Sequence, residues 1–370
     1  MTRRILSVVG ARPNFMKIAP IHRAFETFGE TVSHGIVHTG QHYDAVMSDA
    51  FFEDLKMPDP VEFLGVGSGS HGAQTAAILV AFEQVVLTHR PDLVLVAGDV
   101  NSTVACALAA VKLGVPVGHV EAGLRSFDRG MPEEINRMAT DAISDYAFVT
   151  EPSGLQHLAR EGWDPDRVHF IGNPMIDSQR HALEHAPAGA AKETLDSLGI
   201  TPGGYVLVTL HRPSNVDDAQ QLAALLDVLV ELCTHRTVVL PLHPRTRQRL
   251  ERFGLMARAQ STPHLILAPP QGYLKFLALQ QHADFVITDS GGIQEETTAL
   301  GVPCLTCRTT TERPVTCTLG TNTLVDPSPD ALRQAIDRTL NGDRKAGVVP
   351  PLWDGQAATR LAQIVVEQIL

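Results

Sequence analysis

A chain of 370 residues, 44% hydrophobic and 19% charged, is long enough for two ordinary domains and apolar enough to bury a core in each. Its formal net charge of −11 argues against nucleic acid or an anionic membrane as the main partner, so an anionic ligand needs a local cluster of cations. No apolar run approaches the roughly 20 residues of a membrane span, and Met1-Thr2-Arg3-Arg4-Ile5 enters a strand pattern at once, so no leader and a cytoplasmic location are expected.

Strand and helix signals then alternate along the chain. Strands are predicted at Ile5–Val9, Val32–His38, Leu93–Ala97, Val115–Val120, Tyr146–Thr150 and Val168–Ile171. Helices are predicted around Phe15–Phe28, Gln74–His89, Ser102–Leu113, Glu133–Ser144 and Ser153–Glu161. Residues 180–204, rich in Ala, Gly and Pro, break the rhythm as a helix fragment plus linker. It restarts with strands at Tyr205–Leu210, Val238–Leu242, Leu265–Ala268, Phe285–Thr288, Val302–Leu305 and Thr323–Val325. Helices around Ala219–Cys233, Arg245–Phe253, Tyr273–His282, Ile293–Leu300 and Asp330–Leu340 separate these. Two successive α/β blocks predict two parallel sheets, each covered by helices on both faces. The predicted domains are 1–175 and 176–354, with an amphipathic helix 355–370 packing back on the first.

The most informative run is Thr288-Asp289-Ser290-Gly291-Gly292-Ile293-Gln294-Glu295-Glu296. A buried strand, a small-residue turn and a helix start leave backbone N–H groups pointing outward, with the positive end of the helix dipole behind them. A diphosphate suits that turn. Ser290 can donate its hydroxyl, Gly291 and Gly292 admit phosphate oxygens, and Glu295 or Glu296 can accept from ribose hydroxyls. The competing reading is a tight turn with a capping serine. Arg12, Lys17, Arg212 and Arg313 can neutralise the anion, although each alone reads equally as a surface ion pair. His211, at a strand end, can donate to a phosphate oxygen; taken alone it reads as a satisfied polar group at a sheet edge.

Three acids in the first block also follow strands or open helices. Asp99 also fits a helix N-cap, and Glu133 a helix first turn. Glu121 ends an apolar strand and precedes Ala122-Gly123, so it is expected to be partly buried, with desolvation raising its pKa towards a value useful for proton transfer. Polar strand ends occur in both blocks, which predicts an active site between the domains.

Three other patterns lead elsewhere. Gly67-Ser68-Gly69-Ser70-His71-Gly72 matches GxGxxG but follows only a weak strand at Glu62–Leu64 and lacks the acid-terminated second strand of a dinucleotide site. His34, His38 and His42 recur every four residues, but Thr31–Thr39 alternates like a strand and sends them different ways, so no metal site is expected there. The five cysteines are irregularly spaced, and the lone Cys304-Leu305-Thr306-Cys307 has no second pair, so neither a disulfide framework nor zinc is expected.

Gly10-Ala11-Arg12-Pro13-Asn14, Gly98-Asp99, His119-Val120-Glu121-Ala122-Gly123-Leu124-Arg125, Pro132-Glu133-Glu134, His211-Arg212, the Asp289–Glu296 run and Thr311-Glu312-Arg313-Pro314 occur in this order. In combination they resemble the non-hydrolysing UDP-N-acetylglucosamine 2-epimerases over essentially the whole chain. The resemblance implies a GT-B-like fold of two Rossmann-like domains. It implies interconversion of UDP-GlcNAc and UDP-ManNAc by elimination of UDP to a 2-acetamidoglucal and re-addition, with no cofactor or metal and as a homodimer. It assigns proton handling to Asp99, Glu121 and Glu133 and assistance of the leaving UDP to His211. Arg12, Ser290 and Gly291 would hold the phosphates with Gly292 beside them, Glu296 would bind the ribose, and Arg313 would complete the site. A hydrolysing epimerase releasing ManNAc and UDP, and a GT-B glycosyltransferase, are the alternatives.

The chain departs from the pattern in three places. Gln41-His42-Tyr43-Asp44 replaces a Gln-x-x-Gln that contributes to a second, activating UDP-GlcNAc site, and the Gly-rich loop lacks an arginine before Gln74-Thr75. His211-Arg212-Pro213-Ser214 replaces His-Arg-Arg-Glu, removing one cation beside the substrate and leaving room for a related sugar.

Overall fold

The computed structural model describes residues 2–41 and 55–370, with the side chain of Arg12 left aside. The chain divides into two units, Met1–Glu184 with Pro351–Leu370, and His185–Pro350. The boundaries therefore fall later than 175 and earlier than 354. The reason is local: the helix Pro174–His185 carries Ser178, whose hydroxyl donates to the Met16 carbonyl at 2.6 Å, and Trp353 Nε1 donates to the Thr150 carbonyl at 2.9 Å.

The first unit holds a seven-stranded sheet: β1 (Arg3–Val9), β2 (Val32–His38), β3 (Glu62–Phe63), β4 (Leu93–Ala97), β5 (Val117–Val120), β6 (Tyr146–Val149) and β7 (Val168–Phe170). Its order is β3-β2-β1-β4-β5-β6-β7, and every pairing is parallel. All of Leu93–Ala97 is buried, as a strand covered on both faces requires. The order reverses between β1 and β4, and crevices beyond the carboxyl ends of such strands are where doubly wound folds take ligands.

The second unit repeats the plan with six strands: β8 (Tyr205–Thr209), β9 (Thr237–Pro241), β10 (Leu265–Ala268), β11 (Phe285–Thr288), β12 (Cys304–Cys307) and β13 (Asn322–Val325). Their order is β10-β9-β8-β11-β12-β13, again all parallel, with the reversal between β8 and β11. Leu222, Leu225, Leu226 and Leu229 of the helix Ala219–Leu232 pack with Val206, Val208 and Ile287 of the sheet in one apolar core.

The carboxyl-terminal segment belongs to the first unit. It is an α-helix only over Ala357–Ile364 and winds into a π turn over Val365–Ile369, rather than one helix over 355–370. Asp177 accepts from the backbone N–H groups of Ala357 at 3.2 Å and Ala358 at 2.7 Å, satisfying two donors that the helix start leaves open. Burial pushes this carboxyl up to about 6, against the pull of those two N–H groups.

The other sequence patterns find bland places. The GxGxxG loop follows β3 at the edge of the sheet and leads into the helix His71–His89 with Ser70 as its cap, and His71 at its end lies 3.2 Å from Asn101 Nδ2, just after β4. His34 Nε2 meets Ser7 Oγ at 2.7 Å, and His38 packs against Phe15 and Phe63; His42, like Tyr43 and Asp44, lies outside the described residues. Cys304 and Cys307 are buried free thiols, and burial pushes Cys304 up to about 11 and Cys307 further.

Candidate active site

In the first unit the groups gather where β1, β4 and β5 end. Glu121 follows β5 directly and is 4% exposed. Its backbone has φ +76°, a left-handed conformation that costs a non-glycine residue about 1–3 kcal/mol and is concentrated at functional sites. The N–H groups of Glu121 and Ala122 both donate to the Phe148 carbonyl, at 2.9 and 3.2 Å, which holds the turn in place. The Glu121 carboxylate pairs with the ammonium of Lys17, from the helix Arg12–Glu26, and Lys17 is itself buried.

This pairing changes two expectations. Glu121 is not a lone desolvated carboxyl but carries a buried cationic partner. Lys17, expected on the diphosphate, is engaged by a carboxylate. Gly98 explains how the pair fits. It has φ +68°, and a Cβ there would lie 2.9 Å from Lys17 Nζ and 3.5 Å from Glu121 Oε2.

The next residue, Asp99, is part-exposed and bonded to Arg137 of the helix Pro132–Ile143. Arg137 Nε and Nη2 donate to Asp99 Oδ2 at 3.1 and 2.8 Å. Glu133, half-buried, lies in the first turn of that helix. Its neighbour Glu134 is buried, accepts from the N–H groups of Ser126 and Phe127, each at 2.9 Å, and also pairs with Arg137. Nearer the end of the helix, Asp141 contacts His119 Nδ1 at 2.6 Å and Arg125 Nη1 at 2.6 Å and accepts from Gly123 N–H at 3.1 Å. Burial pushes the Asp141 carboxyl up, but His119 and Arg125 outweigh it and hold it below the usual range. His119 Nε2 contacts the Gly98 carbonyl at 2.8 Å, tying the ends of β4 and β5 together.

In the second unit the groups gather where β8, β11 and β12 end. Ser290 precedes the helix Gly291–Leu300 but makes no side-chain cap, so the capping-serine alternative fails. Asp289, fully buried, accepts from the N–H of His211 at 2.9 Å, the N–H of Arg212 at 2.8 Å and Asn215 Nδ2 at 3.0 Å. His211 Nδ1 meets Asp289 Oδ1 at 2.9 Å, which orients a ring that remains part-exposed. Burial pushes the Asp289 carboxyl up, but His211, Asn215 and the Arg212 N–H outweigh it and hold it low. Arg212 Nε is buried without a hydrogen-bond partner.

Arg313 is 6% exposed and lies beneath the glycine turn. Its Nε is 2.9 Å from Glu295 Oε2, and it also pairs with Glu312. A Cβ on Gly291 would lie 2.8 Å from Glu312 Oε1 and 2.9 Å from Arg313 Nη1, so a side chain there would have to displace the ends of this buried pair. Gly292 follows it in the first helical turn. Glu296 is buried and accepts from Gln280 Nε2 at 2.6 Å. The structure thus gathers Lys17, Asp99, Glu121 and Glu133 at one strand-order reversal, and His211, Arg212 and Ser290–Gly292 at the other. It places Arg313 and Glu296 under the second turn rather than on its surface, and the Arg12 side chain lies outside the described residues.

The sequence reading missed Arg137, Glu134, Asp141 and Asp289 as organisers. A signal existed for the first three: Glu134, Arg137 and Asp141 recur at helical spacing on one face of a short helix, an unusual charge density for a buried stripe.

Two Rossmann-like units, one ending in partnered carboxylates and the other in a glycine turn beside an oriented histidine, define a two-unit α/β enzyme of the nucleotide-sugar class. The family pattern described as UDP-N-acetylglucosamine 2-epimerase matches residues 27–366. The chain belongs to that family. It is 39% identical over 360 residues to the UDP-N-acetylglucosamine 2-epimerase of Methanocaldococcus jannaschii, covering 97% of each chain. It is 40% identical over 369 residues to the UDP-2,3-diacetamido-2,3-dideoxy-D-glucuronate 2-epimerase of Pseudomonas aeruginosa, covering 97% of this chain and 98% of that one. The crystal structure of the M. jannaschii enzyme in complex with UDP-GlcNAc and UDP superposes with a TM-score of 0.89 at 38% identity, covering 98% of this chain and 99% of that one.

Proposed function

We propose that this chain epimerises a UDP-2-acetamido sugar at C2, with UDP-GlcNAc and UDP-ManNAc as the interconverting pair and no hydrolysis. The observation that carries this reading is the set of partnered carboxylates, Asp99 and Glu121 with Glu133 nearby, at the ligand-binding end of the first sheet. A C2 proton is weakly acidic, so its removal has to be coupled to loss of the C1–O bond. A carboxylate takes the proton, the C–H electron pair forms the C1–C2 double bond, and UDP leaves with the C1–O pair. His211, Arg212 and the N–H groups around Ser290, Gly291 and Gly292 stabilise the departing diphosphate. Re-addition of UDP with protonation from the opposite face inverts C2. In this reading the reaction takes place in the cytoplasm. Among the described residues no helix is long and apolar enough to cross a membrane.

Proton NMR with UDP-GlcNAc in deuterated water tests the proposal. UDP-ManNAc carrying deuterium at C2 is the expected product. Free ManNAc and UDP would replace it with the hydrolysing reaction. The near-equal identity to the diacetamido-glucuronate epimerase supports a second reading in which the sugar carries a 3-acetamido group and a carboxylate. Turnover of that UDP-sugar alone would establish it.

We also propose a homodimer. The helix His71–His89 leaves apolar residues uncovered on one face: Val80 is 63% and Leu87 50% exposed, beside exposed Ala73, Ala76 and Ala77, with Gln84 between them. A soluble helix of this kind is covered in its working state, and a second copy is the expected cover. Light scattering should give twice the 40.0 kDa of one chain; a monomer mass at micromolar concentration would remove the proposal.

A further inference from the structure

We propose that Arg137 is a positioning residue that presets Asp99 as a carboxylate at the end of β4, with Glu134 as the residue that aims Arg137. The proposal rests on the reading above, in which Asp99 handles a substrate proton.

Arg137 is 2% exposed, and two of its nitrogens grip a single oxygen, Asp99 Oδ2. A guanidinium does not lose its proton in a protein, so a planar, permanently charged fork faces Asp99 at every working pH. The third nitrogen, Nη1, pairs with Glu134. Glu134 also receives the N–H groups of Ser126 and Phe127 and, at 3.0 Å, the hydroxyl of Ser126. Those donors fix the Glu134 side chain, and through Nη1 it fixes the plane of the guanidinium that faces Asp99. The neighbouring residue on the helix, Asn136, donates to the Asp99 carbonyl at 2.9 Å and to Asn101 Oδ1 at 3.2 Å. One helical turn therefore holds both the backbone and the side chain of Asp99. The other charged and titratable groups around this strand end are the Lys17–Glu121 pair against Gly98, His119 on the Gly98 carbonyl, Glu133 in the first turn of the helix, and His71 through Asn101. A carboxylate already ionised and held in place needs no reorganisation when the proton moves.

The test compares wild type with Arg137→Met, Arg137→Lys and Asp99→Asn, alone and combined. In the unliganded full chain, the carbon-13 carboxyl signal of Asp99 should titrate about 1–3 pH units higher in Arg137→Met than in wild type, with Arg137→Lys between them. With UDP-sugar, kcat should fall about 100-fold in Arg137→Met with KM within about threefold, and Arg137→Lys should recover about tenfold. Adding Arg137→Met to Asp99→Asn should cost less than about twofold more, because a residue acting only through Asp99 has nothing left to position. An unmoved Asp99 titration, or a further loss of about tenfold in the double variant, overturns the proposal. Should Arg137→Met fail to fold, Arg137→Lys decides: wild-type kcat with a wild-type titration overturns it. The carboxyl titration needs no turnover. A wild type inert towards every UDP-sugar would thus sink the functional reading while the clamp is still decided.

Discussion

The two units share a strand plan and both hold buried ion pairs, but they differ in what stands at their strand ends. In the first, Lys17 meets Glu121, Arg137 meets Asp99 and Glu134, and Arg125 meets Asp141, so each of these acids has a buried cation against it. In the second, the strand ends meet the start of the helix Gly291–Leu300 and the turn after β8, where Asp289 accepts from the N–H groups of His211 and Arg212. Proton transfer needs a side chain whose protonation is set by its neighbours, and a buried ion pair does that. Binding a diphosphate needs several donors converging on oxygen atoms, and a helix start beside an oriented histidine suits that task.

The contrast breaks most visibly at Glu121. Glu121→Gln keeps the shape, removes the charge and leaves Lys17 without its carboxylate. We expect kcat to fall about 1,000-fold, with UDP affinity in calorimetry within about twofold of wild type. Equal loss of both would show that the two half-sites are not separable. The smaller effect belongs to the other unit. In Gly291→Ala the added Cβ would press on Glu312 and Arg313. UDP affinity should weaken about tenfold, the scale of one hydrogen bond to a charged group, while the pH dependence of kcat stays as in wild type. A shifted pH profile in that variant would mean that the second unit also governs proton transfer.

Much of this plan is legible in the sequence because it is local. Apolar runs that end in polar or small residues mark strand ends, so Glu121, His211 and Ser290–Gly292 stand out from residue order alone. The helix start after Met131 follows from Pro132 at the first helical position, the usual place for proline. The ion pairs are not local. Lys17 and Glu121 are 104 residues apart, Asp99 and Arg137 38, and His211 and Asp289 78. In sequence Lys17 and Arg313 are simply cations near a site, and both therefore read as phosphate ligands, whereas each is engaged by a buried carboxylate.

Taken alone, the sequence determined the alternation of strands and helices, the two-unit α/β plan, the family and the polar strand ends, because periodicity and turn residues act over a few positions. Only the tertiary structure decided which cation faces which acid, that Glu121 sits in a left-handed conformation, and that the helix Pro132–Ile143 organises the carboxylates. Those outcomes depend on where the sheet order brings distant strand ends together, and on the cost of burying any charge without a partner.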